Sequence, residues 1–287
     1  MNNIYVTYMS NDRDILGVLV LNYRLKVLKS KYDLSCMVTH DVSLNSRKLL
    51  EKFGIKIINI DFFENFEKFN IDKDKLNSLY KKHTFGKLFI FLINTKCVYL
   101  DSDFYINKNI DHLFEYDTSN KQIYMTNDLL MRQVESSNNF ELLNINNEFN
   151  SGLIIFQGDE SIFIETVKFI LLTPYDDLDK WYGDQTVLNY LFKNKSLNVK
   201  TLDHKYNLIF HSIDFFIENN IIDEEDIYVI HYILSDKPWL VDSLLNKCGD
   251  NYSKKYWLKW FEAYHDLQEN SFNKNNLNFK NIYYINK

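Results

Sequence analysis

Two carboxylates one residue apart, Asp101 and Asp103, close a short apolar run, Cys97-Val98-Tyr99-Leu100. A run of that length reads as a buried strand. Acids at its carboxyl end would stand in the crevice where open α/β sheets bind their ligands. At this spacing both can converge on one hard divalent cation, which prefers oxygen ligands. The same pair also suits a solvated turn, because Asp is common at strand ends. What separates the two is whether other segments bring complementary groups to the same place.

The elements around this pair alternate. Residues 4–9 read as a first buried strand and 15–28 as a helix that is apolar on most sides, as expected against a sheet. A strand over 34–39, a helix over 45–53 and a strand over 56–60 complete a β-α-β-α-β series, which implies parallel strands with right-handed crossovers. Gly54 falls where a left-handed helix cap belongs. Residues 62–77 mix aromatics with charge and read as an irregular segment near the site; 85–92 read as a helix leading into the Asp101 strand. Short strands follow at 104–106 and 123–126, and 129–148 reads as a loop. Then come a strand at 152–157, helices at 162–172 and 181–192, and strands at 199–202 and 227–230, the last ending at His231. Residues 256–267 form an aromatic-faced helix (Trp257, Trp260, Phe261, Tyr264), and the tail from 269 to 287 has the Asn- and Lys-rich composition of disorder. The expected division is a domain over 1–245 and a C-terminal helix with polar tail over 246–287.

Bulk properties narrow the class. In 287 residues, 46% hydrophobic and 16% aromatic content suffice for a large core, and a formal charge of −6 argues against nucleic acid as a partner. Cys36, Cys97 and Cys248 are odd in number and far apart, which suits a reducing compartment rather than a metal site or disulfide framework. The start, Met1-Asn2-Asn3-Ile4, enters a strand pattern without a leader, and the longest apolar stretches, 15–21 and 88–93, are too short to span a bilayer. A cytoplasmic protein without a membrane partner is expected.

Four more segments join the Asp101-Ser102-Asp103 motif in order: Tyr5-Val6-Thr7-Tyr8-Met9-Ser10-Asn11-Asp12, Phe149-Asn150-Ser151-Gly152, Gly183-Asp184-Gln185, and His231-Tyr232-Ile233-Leu234-Ser235-Asp236-Lys237-Pro238-Trp239. With them the chain resembles the glycogenin-like branch of glycosyltransferase family 8, from about Tyr5 to Trp239. The resemblance implies an α/β fold: a single GT-A type (Rossmann-like) nucleotide-sugar-binding domain, with a mostly parallel central sheet flanked by helices and a C-terminal helical appendage. It implies metal-dependent transfer of a hexose, with glucose favoured, from a UDP-sugar to an acceptor hydroxyl with retention of configuration. The acceptor would be a glycan, protein or small molecule, and a homodimer is compatible with it. A non-catalytic nucleotide-sugar-binding scaffold of the same fold is the alternative. A phosphohydrolase with Asp101 as nucleophile is disfavoured, because Tyr105 stands where a small Thr or Val is usual.

The resemblance also implies roles. Asp101 and Asp103 would hold the metal from one side and His231 from the other; an imidazole among the ligands suits Mn²⁺ better than Mg²⁺. Taken alone, His231 also fits a hydrogen-bonded buried histidine. Lys237 would pair with the leaving diphosphate, although a solvated surface lysine is the usual fate of Lys. Lys87 would bind phosphate and sugar, and Tyr8, Ser10 and Asn11 the uracil, with a core position the alternative for Tyr8. Ser102 is a further substrate-binding candidate, Asn150 and Ser151 would meet sugar hydroxyls, and Gly152 would leave room for the hexose. Asp184 would orient hydroxyls, unless it merely caps its helix, and Gln185 would lie near the anomeric carbon. Two departures stand out. Leu234 replaces a family glycine, and the segment Asn77-Ser78-Leu79-Tyr80-Lys81-Lys82 lacks the arginine of glycogenins. No tyrosine in Tyr206 to Phe216 falls at the self-glucosylation position, so the acceptor is expected to be a separate molecule.

Overall fold

The computed structural model describes residues 3–67, 83–128, 148–173, 183–233, 237–240 and 251–272, with residues 69, 74, 75, 77 and 79. Its centre is a sheet of seven strands: β1 (Ile4–Met9), β2 (Leu34–Val38), β3 (Lys56–Asn59), β4 (Lys96–Leu100), β6 (Gln122–Asn127), β7 (Phe149–Gln157) and β8 (Asn198–Leu202). They lie side by side in the order β3-β2-β1-β4-β7-β6-β8. β1 pairs in parallel with β2 and β4, and β2 with β3, as the N-terminal alternation requires. Between β1 and β4 the strand order reverses, which is where open α/β sheets form their crevice.

β7 runs antiparallel to both neighbours, β4 and β6. Its first residues therefore lie at the carboxyl ends of those strands: Leu153 faces Leu100 and Asn150 faces Thr126. A second sheet joins β5 (Phe104–Ile106), β9 (Leu208–Ile209) and β10 (Val229–His231) in the order β5-β10-β9. In it β10 is antiparallel to β5, with His231 opposite Phe104.

Strand alternation divides the core. Tyr5, Val98 and Leu100 point to one side with the apolar residues of α1 (Ile15–Val27), and Val6, Cys97 and Tyr99 point to the other with Phe85 and Leu88. α2 (Leu44–Lys52) starts at Ser43, whose hydroxyl accepts from Ser46 N–H, and ends at Gly54 in the left-handed region (φ 77°). Ile55 N–H then reaches the Leu50 carbonyl, the wrap a glycine cap permits. α3 (Phe62–Glu67) gives regular structure to a stretch expected to be irregular. Phe85–Leu92 is a 3₁₀ helix; with every residue from Phe85 to Phe91 buried, packing rather than propensity holds it. Further helices are α4 (Glu160–Leu172), α5 (Asp184–Lys193) and α6 (Ile213–Glu218).

α7 (Tyr252–Phe272) presents Tyr256, Trp257, Trp260, Ala263, Tyr264 and Leu267 to the α1 side of the core. Each large side chain so buried contributes roughly 1.5–3 kcal/mol. Among the described residues no helix is long and apolar enough to cross a membrane. The expected loop at 129–148, the tail, Leu234, Cys248, Lys81 and Lys82 lie wholly or almost wholly outside the described residues.

Candidate active site

Asp101 follows β4 directly, and its N–H donates to the Gly152 carbonyl (2.9 Å). The chain then turns, Phe104 N–H reaching the Asp101 carbonyl (3.2 Å), and enters β5. Asp101 and Asp103 flank this turn. Because β10 pairs with β5, His231 arrives beside them, its Nε2 3.3 Å from Asp103 Oδ1 and 3.7 Å from Asp101 Oδ2. One ligand atom from each of the three lies within 4.8 Å of the others.

The tautomer of His231 follows from one backbone group. Gly152 N–H can only donate, and it donates to Asn150 Oδ1 (2.9 Å). The Asn207 amide nitrogen donates to that same oxygen (2.8 Å) and to Thr126 Oγ1 (2.8 Å), so the Asn207 oxygen faces His231 Nδ1 at 2.8 Å. Nδ1 therefore carries a proton, and Nε2 is the ring nitrogen that faces the two carboxylates. A metal-ligating histidine is oriented in this way, by a hydrogen bond from its other ring nitrogen. Phe104 packs edge-on to the imidazole with ring centres 4.4 Å apart. A Cβ at Gly152 would come 2.6 Å from His231 Cε1 and 2.9 Å from Asn150 Oδ1. The missing side chain is thus occupied by the imidazole, a steric reason for this glycine that the sequence does not reveal.

Two lysines meet the acids. Lys87, 4% exposed, lies 3.0 Å from both Asp101 Oδ1 and Asp184 Oδ2 and donates to Ser151 Oγ (3.2 Å). Burial opposes its charge, but Asp101 and Asp184 outweigh it and raise its pKa above the ordinary lysine value. Lys237 touches the Asp103 carboxylate and donates to the Tyr232 carbonyl (2.8 Å). Burial pushes the Asp101 carboxyl up, opposed by Lys87 and reinforced by Asp103. Burial also works against ionised Asp103, yet His231 and Lys237 prevail and hold it well below the carboxylate range. Among the described residues, three carboxylates (Asp101, Asp103, Asp184) thus face two ammonium groups. This acid excess with an aimed imidazole fits a divalent cation held by Asp101, Asp103 and His231.

The other expected residues gather around this centre. Gly183 (φ 89°) starts α5 with its Cα against Thr84, and places Asp184 and Gln185 in the first turn. Asp184 is buried on Lys87 rather than used as a cap. Gln185 Oε1 accepts from Ser151 N–H (3.2 Å) and its Nε2 donates to Asp128 Oδ2 (2.9 Å). Tyr8 lies over Gly86, next to Lys87, where a Cβ would come 2.6 Å from its Cζ. Asn11 donates to Ser10 Oγ (3.1 Å) and accepts from Arg13 N–H (3.0 Å), shaping the loop after β1. Ser102 turns its carbonyl onto Gly17 of α1.

Four residues of this centre were not anticipated. Asn207 orients His231, and Tyr99 donates to Asp101 Oδ1 (2.7 Å). Asp128 binds Gln185 and Asn150, and burial raises its carboxyl. Asp14, at the start of α1, is raised to about 6 by burial and then by Asp103. Asp128 had the signal that marked Asp101, an acid just past an apolar strand. Asn207 had none, since its role depends on a partner 24 residues away.

A family model described as Glycosyl transferase family 8 matches residues 5–243. Glycogenin of Komagataella phaffii is 24% identical over 299 aligned residues, covering 98% of this chain and 68% of that protein. Galactinol synthase 1 of Solanum lycopersicum is 27% identical, covering 91% of this chain and 81% of that protein. Among solved structures, the galactosyltransferase LgtC in complex with donor and acceptor sugar analogs superposes with a TM-score of 0.61 at 16% identity, over 94% of this chain and all (100%) of that one. That likeness is one of fold, and the fold is GT-A-like.

Proposed function

The chain belongs to glycosyltransferase family 8, and we propose that it moves a hexose from a UDP-sugar to the hydroxyl of a separate acceptor, with retention of configuration. The observation that carries this reading is the convergence of Asp101, Asp103 and His231 from two different sheets onto one point. Asp101, Asp103 and His231 would hold a divalent cation, Mn²⁺ in preference to Mg²⁺, which would supply positive charge for a departing diphosphate. Lys237 adds a fixed positive charge on the Asp103 side, and Lys87 adds one on the Asp101 side.

Lys87 also joins the leaving-group end of the site to the sugar end, since it touches Asp101 and Asp184 together. Asp184 orients sugar or acceptor hydroxyls, Gln185 lies near the anomeric carbon, and Asn150 and Ser151 meet sugar hydroxyls. Tyr8, Ser10 and Asn11, at the end of β1, take the uracil, and Ser102 contributes from the turn between the metal-holding acids. Departure and attack on one face of the sugar is the course that membership of the family implies, with no carboxylate assigned as a covalent nucleophile.

Glucose is the favoured sugar from the similarity to glycogenin, and the position of the chain's tyrosines favours an external acceptor. A panel of UDP-sugars with Mn²⁺, read by UDP release, tests the reading. Release is expected with one hexose donor, water taking the hexose in place of the acceptor, with a loss of at least about 10²-fold in Asp103→Asn and no added hexose in the intact mass of the chain. Absence of release with every donor would contradict the reading and favour the scaffold alternative.

A further inference from the structure

The cation assigned to the diphosphate, Lys237, lies in a connection that leaves β10 at His231. Its described ends are both fastened to α7, a helix beyond the 5–243 stretch that matches the family model. On the near side, Tyr232 is fully buried against Phe210 (ring centres 4.9 Å) and Trp257 (5.8 Å), and its hydroxyl donates to the Tyr256 carbonyl (2.8 Å). The Tyr232 carbonyl is one of the groups that hold Lys237 Nζ, and its N–H donates to the Asp103 carbonyl (3.0 Å). On the far side, Pro238 and Trp239 form a turn closed by Leu240 N–H on the Lys237 carbonyl (3.0 Å). The Trp239 ring lies on Trp260 with centres 5.7 Å apart and planes inclined by 33°, and Trp260 in turn stacks on Tyr264 at 18°. Trp239 also sits over Gly17 of α1, where a Cβ would come 2.5 Å from its Cη2 and would strike the Ser102 carbonyl as well.

Trp239 is therefore a wedge between three things: the helix after the nucleotide loop, the turn between the metal-holding acids, and α7. Lysine carries a long flexible side chain, and holding its ammonium in one place requires a fixed base. Here the base on both flanks is α7. The indole N–H groups of Trp239 and Trp260 are both buried without a hydrogen-bond partner among the described residues, a cost tolerated for a contact made by ring faces.

We propose that α7 is part of the donor-binding apparatus, and that Trp260 is a positioning residue that acts on the diphosphate through Trp239 and Lys237. The inference rests on Lys237 facing the diphosphate, as in the function proposed for this site. The ring contacts of Trp260 are to Trp239, Phe261 and Tyr264 and not to Asp101, Asp103 or His231, so its loss would free the lysine from its seat without removing a contact to those three.

A double-mutant cycle tests this, with two readouts on the full chain: UDP affinity in the presence of Mn²⁺ by calorimetry, and kcat for UDP release. Trp260→Leu is expected to weaken UDP binding and lower kcat by about tenfold, the size of coupling found within one packed network. Trp260→Phe should restore most of the loss. In a Lys237→Ala background, Trp260→Leu should change neither quantity further. Equal losses with and without Lys237 would overturn the proposal, since a generally loosened fold acts the same in both backgrounds; so would an unchanged Trp260→Leu. Should Trp260→Leu not fold, Trp239→Leu completes the same cycle from the other side of the contact. There too, a loss confined to the Lys237 background supports the proposal and equal losses overturn it. A wild-type chain that binds UDP without turning over any UDP-sugar contradicts the proposed transfer, while the binding cycle still decides the role of Trp260. A wild-type chain that binds no UDP overturns both.

Discussion

Side chain by side chain, the site fixes orientation before charge. Gly152 N–H sets the Asn150 amide, Asn150 sets Asn207, and Asn207 sets the His231 proton on Nδ1. Removing one member should therefore disturb the cation rather than the fold. Asn207→Ala is expected to weaken Mn²⁺ binding by about 10–100-fold, the usual effect of losing the group that orients a metal ligand. A Mn²⁺ titration followed by electron paramagnetic resonance checks it. An unchanged affinity would show that the imidazole is held by packing against Phe104 alone. The residues proposed as ligands were legible in the sequence, because two acids after an apolar run and a histidine ahead of Lys-Pro-Trp are local patterns. Asn207 was not, since it is defined only by what lies next to it in space.

Among the strands, the decisive features are the reversed direction of β7 and the small β5-β10-β9 sheet. The first delivers Asn150, Ser151 and Gly152 to the end of β4 where Asp101 stands. The second delivers His231 to Asp103. Strand positions could be read from apolar runs, but neither pairing could, because register between distant strands leaves no trace in either strand alone. The N-terminal parallel unit was readable because each crossover is short and its handedness is set by chain chirality. Gly152→Ala tests the close approach of these elements. Its Cβ would stand 2.6 Å from His231 Cε1, and a clash of this kind costs about 1–3 kcal/mol. Chemical denaturation should show that loss together with weaker Mn²⁺ binding; full stability and affinity would mean that the ring has room to move.

Taken as one body, a chain of formal charge −6 concentrates acids where the proposed anionic donor would bind. A cation held by Asp101, Asp103 and His231 would offset that charge. Asp14 offers a test in the metal-free protein, its carboxyl raised from an ordinary 3.8 to about 6 by burial and then by Asp103. A group that holds its proton more tightly in the fold contributes stability at low pH. That contribution is full below about 3.8 and is lost as pH rises through about 6. Ionised Asp14 then opposes folding. With chelator present, Asp14→Asn should raise the melting temperature at pH 7.5 and change it little near pH 4. An equal gain at both values would assign the effect to something other than this charge.

The proposed chemistry depends on Asp101, Asp103 and His231 together gripping one divalent cation against a diphosphate. Calorimetric titration of the full chain with Mn²⁺, with and without UDP, puts that grip to the test. One ion per chain is predicted, with tighter binding when UDP is present and loss of that ion in both Asp101→Asn and His231→Ala. Retention of the same stoichiometry and affinity in either variant, with no effect of UDP, would contradict it.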